Sequence, residues 1–198
     1  QDAKNMYKIL SDTKISRGNN REGLKASCVY MACKKNKVPR SAKEIAEIFK
    51  IKVSDMTKGC KLFLEIMNLN ENKPKYNVKS SSASDYIERY CSNLNLSNEI
   101  CEICKKAAQK ATEYSIVEDN TPPSIAAGTI YMICNLYSMN ITKKNVSKAC
   151  KISEVTISKC FKKMNKYKKH LVDNIPESYK KKKKSKKKNK KTKTKSSN

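Results

Sequence analysis

The 198-residue chain predicts an all-α fold built from one helical unit repeated in tandem. Three observations carry that expectation. Strand signals are scarce: there are four glycines, no tryptophan and hardly any alternation of apolar with polar residues. Long segments instead place apolar residues at i, i+3, i+4 and i+7, the spacing of helices that bury one side. Finally, Gly23–Cys33 (GLKASCVYMAC) matches Ser124–Cys134 (SIAAGTIYMIC) at an offset of 101 residues. The offset continues without a gap through Ser41/Thr142, Ile45/Val146, Ile51/Ile152 and Lys61/Lys162, which makes two copies of one domain.

In the first copy (residues 1–69), small residues ahead of Tyr30-Met31 suit a central helix that neighbours approach closely. Ser41–Lys50 and Ser54–Leu69 then read as a short helix, a turn and a long helix. Residues 70–83 are polar, contain Pro74 and run into serines, so they read as a linker. The second copy (residues 84–174) opens with helices at Asp85–Leu94 and Ser97–Tyr114. Subtracting the offset from Asp85 gives a position before residue 1, so the first copy is expected to lack its opening helix. Half of residues 175–198 are lysine, with no apolar residue after Tyr179, and the segment is expected to be disordered.

Thr142–Cys150 and Ser153–Lys166 are helices separated only by Lys151 and Ile152, the pattern of a helix-turn-helix. Ser153 is the expected N-cap of the second. On that helix Ile157, Cys160, Phe161 and Met164 form a core-facing stripe. Val155, Lys159, Lys162, Lys163 and Lys166 collect on the opposite face, flanked by Thr156 and Ser158. On geometry alone an ordinary bundle helix with solvated lysines is the more common outcome; charge distribution favours the helix-turn-helix. The formal net charge is +26. Removing the twelve lysines of 180–195 from the 44 basic residues, against 18 acidic ones, still leaves +14. Residues 143–172 hold ten lysines against Glu154 alone, whereas residues 79–142 sum to −2. A basic sector centred on the helix-turn-helix points to a polyanionic partner.

The nine cysteines are scattered, and six of them (Cys28, Cys33, Cys60, Cys134, Cys150 and Cys160) sit at apolar helix positions. Cys101-x-x-Cys104 has no second pair and falls within a helical pattern, so its sulfurs are expected to line one helix face rather than bind zinc. All nine read as reduced core thiols of an intracellular protein. No apolar run is long enough to span a membrane. His170 is the only histidine and lies in a lysine-rich helix end. No catalytic constellation is present, so neither an enzymatic activity nor a cofactor is expected.

The chain resembles the core of transcription factor IIB and its archaeal counterpart. The resemblance runs from about residue 6 to 172, on Arg17-Gly18-Asn-Asn-Arg-Glu22, Cys28-Val-Tyr-Met-Ala-Cys33 and Val38-Pro-Arg-Ser-Ala-Lys-Glu-Ile-Ala46 in the first copy. The second copy adds Tyr90-Cys-Ser-Asn-Leu94, Pro123-Ser-Ile-Ala-Ala-Gly-Thr-Ile-Tyr-Met132 and Val155-Thr-Ile157. It implies two cyclin-like repeats of five helices each. It further implies a monomeric initiation factor that grips promoter DNA bent by TATA-binding protein and positions RNA polymerase, in the nucleus or a viral transcription compartment.

By residue match, the resemblance places Val155, Thr156, Ser158 and Lys159, with Lys162 and Lys163 behind them, at DNA upstream of the TATA box. It places Arg17 and Gly18 at DNA downstream, and Lys58 with Lys61 near the acidic stirrup of TATA-binding protein. Ser158 and Asn19 stand where the family has arginine, and Lys151 stands where it has glycine in the helix-turn-helix turn. Two alternatives share the repeats: the related subunit serving RNA polymerase III, and a cyclin-type kinase regulator. The basic second copy and Val155-Thr-Ile157 argue against the kinase regulator.

Overall fold

The small-residue segments of the two copies form the two central helices around which everything else packs. A computed structural model describes residues 1–69 and 80–173. These residues form α-helices and no strand, and the chain divides into two compact units, Gln1–Asp85 and Tyr86–Asn198. The first unit holds α1 (Asp2–Thr13), α2 (Gly18–Lys35), α3 (Ala42–Phe49) and α4 (Val53–Met67). The second holds α5 (Ser84–Asn93, beginning just ahead of the division), α6 (Asn98–Glu113), α7 (Pro122–Leu136), α8 (Lys143–Cys150), α9 (Glu154–Lys166) and α10 (Lys168–Leu171). The all-α expectation holds. Of the expected linker and tail, residues 70–79 and 174–198 lie outside the described residues.

In the first unit α2 is the centre. Leu24, Cys28 and Met31 on one side meet Met6 and Leu10 of α1 and Phe63 and Ile66 of α4. Ala26, on another side, meets Ile45 and Ala46 of α3 and Met56 of α4. The α2–α4 crossing is backbone against backbone. A Cβ on Gly59 would lie 2.1 Å from the Gly23 carbonyl oxygen, and one on Gly23 2.5 Å from the Asp55 carbonyl oxygen. Both positions need glycine for proximity rather than for backbone freedom.

In the second unit α7 takes that central place. Twelve of its 15 residues are buried and only Asn135 is exposed, as expected for a helix that is apolar nearly all round. Pro122 and Pro123 open it, where a missing N–H has no intrahelical partner to lose. Its buried Thr129 hydroxyl donates to the Ile125 carbonyl at 2.8 Å and to Met164 Sδ at 3.4 Å. Ile157, Cys160 and Met164 of α9 are buried. Gly128 lets α9 approach, since a Cβ there would meet Cys160 Cβ and Sγ at 2.7 Å.

The 101-residue repeat extends to the backbone. Adding the offset to the bounds of α3 gives those of α8, and adding it to the start of α4 gives that of α9. The left-handed residues also correspond: Lys37 (φ 58°) with Ser138 (φ 55°), and Lys50 (φ 54°) with Lys151 (φ 58°). No described helix of the first unit corresponds to α5. All nine cysteines are free thiols. Cys101 and Cys104 do share the buried face of α6, and the thiol of Cys91, on α5, hydrogen-bonds with both. Two of the expected core thiols, Cys33 and Cys60, are only half-buried.

Candidate nucleic-acid interface

Three local devices hold α8 and α9 as a rigid pair. Thr142 caps α8 through a capping box in which Asn145 takes the place of the usual acid. The Asn145 N–H donates to Thr142 Oγ1 at 3.2 Å, and the Thr142 N–H donates to Asn145 Oδ1 at 2.9 Å. Across the turn, the Ser147 hydroxyl donates to the Ile152 carbonyl at 2.6 Å. From α5, Asn93 Nδ2 donates to the Ala149 carbonyl at 3.2 Å, satisfying one of the acceptors that the end of α8 leaves open. Lys151 sits between the helices at φ 58°, ψ 29°, the left-handed conformation that a glycine would take without a Cβ penalty.

Ser153 caps α9 as its sequence position predicts, accepting from the Thr156 N–H at 3.2 Å. Its hydroxyl also lies 2.8 Å from Thr156 Oγ1. The core stripe falls where expected, with Phe161 half-buried and its ring edge-on to Tyr131 at 5.1 Å between centroids. The opposite face is open. Val155, in the first turn, is 65% exposed. Lys159, Lys162 and Lys166 are exposed beyond it, and Thr156 and Ser158 are half-buried at its edges.

Lys163 departs from this group. It is half-buried, and its ammonium pairs with Asp119, 3.0 Å away in the α6–α7 segment. Lys163 thereby lines a separate groove of about 540 Å³ with Lys166, Tyr114, Tyr167 and His170. Lys143, which sequence patterning does not single out, reaches the edge of the open α9 face instead, donating to Ser158 Oγ at 3.2 Å.

In the first unit a second basic feature forms. Arg17 is the N-cap of α2, and Gly18 follows at φ 54°, turning the chain into the helix. Arg17 lines a groove of about 670 Å³ together with Lys14, Ile15, Asn20, Lys58 and Leu62. Arg17 and Lys58, expected to serve different partners, therefore share one groove. Lys61, one turn on from Lys58 along α4, is exposed and does not line it. Lys14 also pairs with Glu65 at 3.5 Å, an exposed pair that contributes little to stability.

The hydrogen bond with Cys104 lowers the pKa of the Cys91 thiol below its ordinary value. Burial pushes the Cys134 thiol up to about 12 and those of Cys101 and Cys160 up to about 11, far from the thiolate form that reacts or binds metal. Among the described residues no group of His, Cys, Asp and Glu is arranged to hold a metal ion, and no helix is long and apolar enough to cross a membrane.

The sequence matches the family described as "Transcription factor TFIIB repeat" over residues 1–66 and again over 76–167. It is 39% identical, over 87% of its length, to a protein of Acanthamoeba polyphaga mimivirus described as transcription initiation factor IIB-like, covering 40% of that protein. It is 32% identical over 87% of its length to transcription initiation factor IIB of Glycine max, covering 54% of it. To the Drosophila melanogaster factor of the same name it is 29% identical over 90% of its length, covering 53%. The chain thus spans about half the length, or less, of these relatives. Its two all-α units are cyclin-like TFIIB repeats, and the chain belongs to the transcription factor IIB family.

Proposed function

We propose that the chain is the promoter-binding core of a general transcription initiation factor. It joins promoter DNA carrying TATA-binding protein and links that complex to RNA polymerase, in the nucleus or in the transcription compartment of a large DNA virus. The observation that carries this reading is the outer face of α9. An exposed Val155 sits at the N-terminal end of a capped helix, backed by Lys159, Lys162 and Lys166, on the second helix of a helix-turn-helix. Such a helix enters a major groove by its N-terminal end, where short side chains reach base edges while lysines meet phosphate. Val155 suits apolar contact with a thymine methyl. The Lys14, Arg17 and Lys58 groove of the first repeat supports a second, acidic contact, which the family resemblance assigns to TATA-binding protein.

The test is a mobility-shift titration of a TATA duplex carrying TATA-binding protein. Val155→Glu with Lys159→Glu places two carboxylates on exposed positions of α9, off its core stripe. The double variant is expected to fold normally and lose at least tenfold in affinity for the complex, from repulsion by phosphate and loss of the base contact. Wild-type affinity in that variant would remove α9 from the interface.

A further inference from the structure

The contact between Lys143 and Ser158 has no stabilising rationale of its own. Lys143 is the first residue of α8, and Lys144 follows it, with no acidic residue in that first turn. Cations there oppose the helix dipole, whose N-terminal end favours negative charge. Among the described residues Lys143 makes no ion pair. Its ammonium instead reaches across to α9, where Ser158 Oγ accepts from it at 3.2 Å. A hydroxyl acceptor positions the charge without neutralising it, and two N–H donors stay available. Ser158 lies one turn beyond Val155, on the side of α9 that borders the exposed face. The ammonium of a lysine reaches further from the helix surface than a serine hydroxyl does, and the serine removes much of the freedom that makes lysine a poor reader.

We propose that Lys143, steered by Ser158, is the specificity-determining cation of this helix-turn-helix and that it reads guanine in the major groove. Guanine presents N7 and O6 as paired acceptors there, and lysine donates to both. The first repeat shows the same backbone without the device: the positions equivalent to Lys143 and Ser158 are Ala42 and Thr57. The inference rests on the proposed promoter-binding role, and its test is built to fail separately from it.

Full-length chain is titrated onto TATA duplexes carrying TATA-binding protein, with each base pair upstream of the TATA element varied in turn. Lys143→Met keeps the stem and removes the charge. It is expected to flatten the preference for guanine at one position by roughly 5- to 100-fold, the range of a single good base contact. Lys143→Arg should keep the preference. Ser158→Ala should blunt it while leaving the salt dependence of binding as in the wild type. If Lys143→Met instead weakens every duplex equally and lowers the salt slope by about one, Lys143 only touches phosphate and the proposal is overturned. An unchanged guanine preference in Lys143→Met overturns it as well. In either case Val155→Glu/Lys159→Glu decides the underlying reading: its loss of binding leaves α9 at the DNA, and its wild-type binding removes both.

Discussion

The two repeats carry the same turn and different surfaces. Lys50 and Lys151 adopt left-handed conformations within a few degrees of each other, at φ 54° and 58°, and the helices on either side of them begin at matching positions. The helices leaving the turn differ. The second repeat presents Val155, Thr156 and Ser158, whereas the first presents Ser54, Asp55 and Thr57 at the same offsets. The first repeat thus carries a carboxylate, Asp55, where the second has the Thr156 hydroxyl, while Lys58 and Lys61 match Lys159 and Lys162. The duplicated part is the scaffold, and the two copies differ in the side chains on the outer helix.

The cores diverge in the same manner. Both repeats bring their central helix very close to the helix after the turn, but the first does so with Gly23 against Gly59 and the second with Gly128 against Cys160. In the first, the atom that a new Cβ would strike is backbone; in the second it is a side chain. Gly59→Ala is therefore expected to force α2 and α4 apart, a loss of about 3 kcal/mol or more, while Gly128→Ala falls within about 1–3 kcal/mol. Urea midpoints would show it. Equal losses would mean that the first crossing yields as readily as the second.

Much of this arrangement is legible in the sequence because it is local or periodic. The unbroken 101-residue offset, the small residues before each Tyr-Met and the serine before α9 locate both central helices, the helix-turn-helix and its cap. The contacts that distinguish the interface are neither local nor periodic. Lys143 and Ser158 are 15 residues apart, Asn93 and Ala149 are 56 apart, and Lys163 meets Asp119 across 44. A helical wheel places Lys163 with the exposed lysines of α9, but a long flexible stem goes where a carboxylate is within reach. Arg17 and Lys58 share a groove only because the α2–α4 crossing is so tight. The Thr142-x-x-Asn145 capping box is the one local signal of the interface that patterning for Glu or Gln passes over.

Alkaline pH should separate the repeats next. Burial holds Cys134 at about 12 and Cys160 and Cys101 at about 11 in the second. The hydrogen bond between Cys91 and Cys104 pushes Cys104 up, with burial adding to it, and lowers Cys91, which offsets one of the four raised thiols. In the first, only Cys28, at about 12, and Cys60, at about 11, are raised. The unfolded chain ionises these thiols near pH 8.5, so their stabilisation is complete below that pH and drains away as pH rises towards 11–12. The second repeat, with more such thiols, is expected to lose protease resistance more steeply between pH 7.5 and 9.5. Parallel loss in both halves would show that the thiols are not what sets the alkaline limit.

Two hydrogen bonds of the second helix-turn-helix have no counterpart in the first. Ala46 stands where Ser147 ties the turn, and no described helix stands where α5 supplies Asn93. Ser147→Ala and Asn93→Ala should each remove about 1 kcal/mol, felt locally as faster amide exchange in α8. By the same logic the first repeat's α3 should exchange faster than α8 in the unaltered chain. Equal protection of α3 and α8 would mean that the bonds from Ser147 and Asn93 add no local stability.

The smallest effect tests the shared turn itself. A residue with a Cβ in the left-handed region carries a penalty of roughly 1 kcal/mol, and glycine removes it. Glycine also loosens the unfolded chain, which offsets roughly 0.5–1 kcal/mol of that gain. Lys50→Gly and Lys151→Gly are therefore each expected to leave stability within about 0.5 kcal/mol of the wild type, on the stabilising side, and by the same amount. The measurement is a pair of urea midpoints at matched slope. Unequal shifts would show that the two turns are strained differently despite matching dihedrals. A loss at Lys151 in particular would mean that its side chain holds α8 to α9, and that lysine is there for the interface and not merely tolerated by the turn.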